Sequence, residues 1–466
     1  MSSVAKEFAV IKKYSENRLS GRFLGELKTF VIQFFPAFLV LWFLRKVLVK
    51  NEYHLKRESI KFFQLSNGAY SEKYHHKCDR LLLIALKLID SSFPKQYLSL
   101  LRSSVKYTIT DPAGRRNCSD SIFLATNQLV ADQFDATGWY QLSRGLFSLG
   151  YFRAAWVARE HSIDLSIEES FKFDASLTDK KRCLEAHLER GEFETVSNLI
   201  KGNHDKHNFG ILLDLLRKSF VKEGTDQNLK QFDGKKTFEL LIKDKSVALV
   251  GPGVNDLLYG DEIDSVDTVF RVRFGGRDSL RQKYDGSRCD IAQFNDLSVI
   301  REAPRNSAEF GFIDSLKLIV VFRDEPPKVR DINVVNIFLE LPVYRSTATS
   351  GLVNLVAVIM NSPTKLKIYG FDFYSRLGQY DSELMSFYRV NGWKFGATYS
   401  TVFRDGFLSC ASIAKSFSAH DPVSNFCFAQ NLYKAGLFDI EPYGKSILEL
   451  TPYQYVERLE EMLGDW

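Results

Sequence analysis

The chain has 466 residues, too long for one ordinary core, so at least two domains are expected. Hydrophobic residues make up 45% and charged residues 26%, the balance of a folded globular protein, which excludes a disordered or wholly membrane-embedded chain. The 62 basic and 57 acidic residues leave a formal charge of +5 with no long run of one sign, so nucleic-acid binding gains no support.

The first 50 residues gather basic side chains (Lys12, Lys13, Arg18, Arg22, Lys28, Arg45, Lys46, Lys50) around the uncharged run FVIQFFPAFLVLWFL, Phe30 to Leu44. This run is shorter than the roughly 20 residues that cross a bilayer. Continued to Val49, a helix over 30–49 either lies in the membrane interface or spans with its basic residues reaching the headgroups; a buried core helix is the alternative. No signal peptide is expected here, since the first residues are charged and no small-residue cleavage site accompanies the apolar run.

Residues 51–222 read as an all-α domain, with apolar residues at three and four spacing in CDRLLLIALKLI, GWYQLSRGLFSLGYFRAAWVARE and FGILLDLLRKSF. Gly150, Phe152 and Ala155 recur at the offsets of Gly191, Phe193 and Val196, as in tetratricopeptide hairpins; a generic helical bundle fits the two copies as well. The polar stretch 223–236 reads as a linker.

From 237 to 466 short apolar strands (SVALV, LKLIVVF, VVNIFL, LKIY) alternate with helical stretches such as SGLVNLVAVIMN, which predicts an α/β fold with a parallel sheet covered on both faces. Three features there bear on chemistry. The first strand runs into Gly251, Pro252 and Gly253, where missing side chains would let a ligand approach the backbone. Ser346, Thr347, Thr349 and Ser350 precede Gly351 and an apolar helix, more hydroxyls than one helix cap uses, and so suit an anion at that helix N-terminus. Of eight histidines only His420 lies in this half, which makes it the default base near neutral pH. The six cysteines are scattered without CxxC spacing, so neither a zinc site nor a disulfide framework is expected, and a reducing compartment is.

Together these elements resemble the sialylmotifs of the animal-type sialyltransferase family. The segment VALVGPGVNDLLYGDEIDSVDTVFRVRF is similar to its large motif through Val250, Gly251, Tyr259, Gly260, Glu262, Ile263, Asp264, Ser265, Asp267, Val269 and Arg271. The segment TSGLVNLVAVIMNSPTKLKIYGFDF resembles the small motif through Ser350, Gly351, Tyr369, Gly370 and Phe371, and His420 falls where the very small motif places its histidine. Three family features are replaced: the Asn after the first motif glycine by Pro252, the Asn closing LRMN by Arg273, and the Glu five positions after the histidine by Asn425. The family's second histidine and the cysteine pair joining its two larger motifs are missing.

The resemblance covers 236–438 and implies a Rossmann-like glycosyltransferase domain, a variant of the GT-A type, that binds a CMP-activated acidic sugar and transfers it with inversion and without a metal. It implies His420 as base, donor contacts from Gly251, Gly253, Asn255, Arg271, Arg273, Thr349, Ser350 and Gly351, and a glycan or glycolipid acceptor. Either arginine is equally suited to a structural ion pair. The acidic run Asp261, Glu262 and Asp264 reads as a helix cap or solvated loop rather than a metal-binding DxD pair, with Asp372 and Asp421 as supporting groups. The lost cysteine pair favours a bacterial enzyme held at the cytoplasmic face of the inner membrane over a Golgi type II protein. Kdo is an alternative to sialic acid as the donor sugar. The second class of reading is a non-catalytic scaffold, kept open by Pro252, Asn425 and the absent second histidine.

Overall fold

A computed structural model describes residues 112–200, 232–272, 282–297, 313–322, 328–375 and 420–464, apart from short breaks inside these ranges. The stretch at 30–49 expected to associate with a membrane, most of the expected linker and Arg273 lie outside the described residues. All described residues belong to one compact unit, Tyr107–Trp466.

The unit begins with helices α1 (Pro112–Asn127), α2 (Ala136–Leu149), α3 (Phe152–Ser170), α4 (Leu177–Glu189) and α5 (Phe193–Ile200). Helices α2 and α3 pack as a hairpin that buries Trp139, Leu142, Leu146 and Phe147 of one and Phe152, Ala155 and Ala158 of the other, with the Phe147 and Phe152 rings 5.5 Å apart. Helix α4 starts on a capping box, in which Ser176 accepts from the Asp179 amide and the Asp179 carboxylate accepts from the Ser176 amide. It ends where Gly191 takes a left-handed φ of 72°. Phe152 and Phe193, the matching positions of the two sequence copies, each open a helix and are buried.

The rest is α/β: α6 (Phe232–Ile242), β1 (Ser246–Val250), α7 (Gly260–Ser265), β2 (Thr268–Val272), α8 (Gln282–Asp285), β3 (Ile291–Gln293), β4 (Leu318–Val321), β5 (Lys328–Val329), β6 (Ile332–Asn336), α9 (Ser350–Met360), β7 (Lys365–Tyr369), α10 (Pro422–Lys434), β8 (Asp439–Ile440), α11 (Pro442–Leu448) and α12 (Pro452–Gly464). The eight strands form one sheet in the order β5-β6-β4-β3-β2-β1-β7-β8, parallel except for the β5–β6 hairpin. The expected α/β fold with a parallel sheet is present. Its central strands are buried without alternation because both faces are covered: β2 is buried throughout, Arg271 included, and β1 from Val247 to Val250.

Helix α6 begins at Phe232, inside the polar stretch read as a linker over 223–236. The polarity of FDGKK hid a helix that lies close on β6: a Cβ at Gly234 would stand 2.4 Å from the Val334 carbonyl oxygen. The helical segment also shares its core with the α/β part. Helix α3 packs on α12 and α4 on α10, and Arg153 of α3 binds Glu460 of α12 at 2.8 Å.

From β1 the chain builds outward through β2, β3, β4 and β6, then returns to lay β7 on the other side of β1. The C-terminal ends of β1 and β7 therefore flank the point where strand order reverses, the usual ligand position in open α/β sheets.

Candidate active site

At that reversal the two strand ends remain joined beyond the sheet. The Gly251 amide donates to the Tyr369 carbonyl at 2.7 Å and the Gly253 amide to the Gly370 carbonyl at 3.1 Å. A Cβ at Gly251 or Gly253 would lie 2.4 or 2.6 Å from the Gly370 oxygen. These glycines are thus required first by the neighbouring turn, where the sequence had suggested room for a ligand. The Phe371 ring fits between the β1 turn and the start of α9, because a Cβ at Gly251 would meet Cδ2 at 2.9 Å and one at Gly351 would meet Cε1 at 2.7 Å. Glycines from both larger motif segments thus close on one ring.

Helix α9 begins at the carboxyl edge of the sheet. Thr349 is its N-cap and accepts from the Leu352 amide at 3.4 Å, so its hydroxyl serves the cap. Ser350 and Gly351 follow, partly exposed, and supply the first N–H groups at the positive end of a strongly apolar helix.

His420 is partly exposed and sits against the loop before α9. Its Nδ1 is 3.2 Å from the Thr347 carbonyl oxygen and 3.3 Å from the Thr347 hydroxyl. With a proton on Nδ1 the ring donates to that carbonyl, and in the neutral ring this tautomer puts the lone pair on Nε2. The Asp421 amide donates to Ser346 Oγ at 2.8 Å. Asn425, the replacement five positions after His420, accepts from the Thr349 amide at 2.7 Å and donates to the Asp421 carbonyl at 2.8 Å and the Thr347 carbonyl at 3.4 Å. The hydroxyl surplus noted in the sequence is largely accounted for: Ser346 holds the His420 turn, Thr347 the ring and Thr349 the helix.

Behind His420 lies an ionic cluster that sequence reasoning missed. Asp421 is fully buried, caps α10 through the Val423 and Ser424 amides, and receives Arg159 Nη1 at 2.8 Å and the Tyr140 hydroxyl at 3.3 Å. Arg159, also fully buried, binds both oxygens of Glu189 and donates to Ser424 Oγ at 2.6 Å. Burial alone would lower the affinity of Arg159 for its proton, but Asp421 and Glu189 outweigh it and hold the guanidinium above its ordinary range. Burial, together with the neighbouring Asp421 carboxylate, pushes the Glu189 carboxyl up to about 7 against the pull of Arg159. Arg159 lies in the sequence VAREH without any pattern to mark it, and only the expectation that Asp421 supports the site pointed here.

The remaining expected donor contacts fall elsewhere. Asn255 is buried and donates to Asp285 Oδ1 at 2.7 Å. Arg271 is only 1% exposed, and its guanidinium donates to the Asp285 and Arg288 carbonyls at 2.6 and 2.7 Å. Both side chains, expected as donor contacts, bond within the chain to the end of α8 and the segment that follows it. In the acidic run, Asp264 accepts from the Ser287 and Arg288 amides at 2.7 and 2.9 Å. Partial burial works against its ionisation, yet these bonds hold its carboxyl below the usual range. Glu262 pairs with Lys367 at 2.7 Å. Asp372 accepts from the Tyr374 amide at 3.0 Å and shapes the turn after β7. Cys183, Cys289 and Cys427 are buried free thiols.

No protein-family model matches the chain, and neither a curated protein nor a solved structure matches it significantly.

Proposed function

We propose that the α/β part is a glycosyltransferase that moves an acidic 2-keto sugar from a CMP-sugar to a glycan hydroxyl, with inversion, using His420 as base and no metal. One observation carries this reading: at the carboxyl edge of a parallel sheet, beside its strand-order reversal, the start of α9 packs on Phe371 and the loop leading into it holds the His420 imidazole. The motif resemblance supplies the donor class.

In this mechanism the acceptor oxygen attacks the anomeric carbon as the bond from that carbon to the phosphate oxygen breaks. CMP departs with the electron pair, and Nε2 of His420 takes the acceptor proton. The N–H groups of Ser350 and Gly351 face the charge that develops on the phosphate, where a helix N-terminus favours an anion. The basic and apolar stretch at 30–49 serves to bring the enzyme to a membrane surface that presents a glycan or glycolipid acceptor.

The test is incubation of the purified full chain with CMP-sialic acid or CMP-Kdo and candidate glycans, followed by NMR of the product. A new glycosidic bond with inverted anomeric configuration from either donor supports the proposal and selects the sugar. Tight CMP binding by calorimetry with both donors intact would favour the scaffold reading.

A further inference from the structure

We propose that Arg159, which belongs to the helical segment, is a positioning residue for His420. The inference deepens the transfer reading and rests on it for its kinetic readout. His420 is held between two stretches, 344–347 and 420–425, and both are anchored to α2, α3 and α4. On one side Arg159 binds Asp421 and Ser424, while Ser424 Oγ also donates to the Tyr344 carbonyl at 3.1 Å. On the other, the Tyr344 ring lies 5.1 Å from the Arg159 guanidinium carbon, and its hydroxyl bonds Ser162 and Ser166 at 2.8 and 2.9 Å. Arg345 then takes a left-handed φ of 49°, an uncommon backbone for a non-glycine residue. It is held there by its amide to Glu185 at 3.2 Å and its carbonyl to the Tyr140 hydroxyl at 3.1 Å.

A single guanidinium therefore ties both halves of the clasp around the imidazole. Arg159 faces Asp421 and Ser424 from α10, Glu189 from α4, and the rings of Tyr140 and Tyr344. Such a cluster is a costly way to hold helices together. Removing two carboxylates and a guanidinium from water offsets most of the attraction between them, and apolar replacements of similar size are often as stable. What an apolar contact would not give is the directed geometry that fixes the backbone on either side of His420.

The test uses the full chain with R159M/E189Q, which removes the guanidinium and the carboxyl paired with it and leaves Asp421 its cap bonds, Tyr140 and the Arg144 guanidinium 4.0 Å away. The inference expects melting close to that of the native chain, a donor KM within about twofold, and kcat lowered about tenfold or more, since misplacing a reacting group raises the barrier without weakening donor binding. The ¹H–¹³C signal of the His420 ring, identified by its loss in H420A, should shift or broaden. R159K keeps the charge but not the forked geometry, and should recover only part of kcat; it also decides the matter if the double variant does not fold. Unchanged kcat and an unchanged His420 signal would overturn the inference. If the native chain turns over no CMP-sugar, the transfer reading fails, but the His420 signal still decides whether Arg159 positions the ring.

Discussion

In this account His420 carries the proton transfer, and Arg159 with its partner Glu189 lies behind it. His420 was legible because it is the only imidazole of the C-terminal half, and the structure gives it an orientation, with Nδ1 turned to Thr347. His420→Ala should reduce transfer by at least about a hundredfold while CMP binding stays within a few fold, as expected for loss of a general base; an equal loss of both would point to collapse of the site. Glu189 was not legible, because its environment is made by residues far away in sequence. Its carboxyl is raised from 4.5 to about 7 by burial, so its contribution to stability is fully present below 4.5 and lost as pH rises through 7. Between pH 5 and 8 the native chain should lose melting temperature relative to Glu189→Gln, whose amide does not titrate. Parallel curves for the two would exclude Glu189 as the source. Arg271 shows the limit of reading charge from sequence, since its guanidinium is spent on backbone carbonyls that no spacing reveals.

The strands β1, β4, β6 and β7 and the helix α9 could be read from short apolar-rich runs and a hydroxyl cap, whereas β3 and β8, three and two residues long, carry too little pattern. The glycine turn after β1 was found in the sequence with its reason missing. Close approach of the Gly370 carbonyl and the Phe371 ring is a contact between elements more than a hundred residues apart. Gly251→Ala should therefore destabilise the protein by about 1–3 kcal/mol or more, measured by urea unfolding, because a Cβ would overlap a backbone oxygen that has little freedom to move. Gly351→Ala meets only the edge of a ring, so its cost should be smaller and should appear mainly as weaker CMP binding through displacement of the α9 N-terminus. Equal unfolding costs with unchanged CMP affinity would contradict the role given to that helix.

Across the whole unit, composition led to an expectation of separate helical and α/β halves joined by a linker. Residues 112–200 and 232–464 instead share buried contacts through Arg159, Tyr344, Asp421 and the α3–α12 packing. Expressed alone, residues 232–466 leave Asp421, Ser424 and Tyr344 without their partners, and should lack the cooperative melting of the full chain; sharp melting of that fragment would show the halves to be independent. The helical segment thus helps to build the site. The central claim, that His420 drives transfer from a CMP-sugar, is tested most directly by CMP release from CMP-sialic acid and CMP-Kdo with acceptor glycans, comparing the native chain with His420→Ala. The account predicts acceptor-dependent release from one donor that disappears in the variant. Release that persists unchanged in His420→Ala would contradict it.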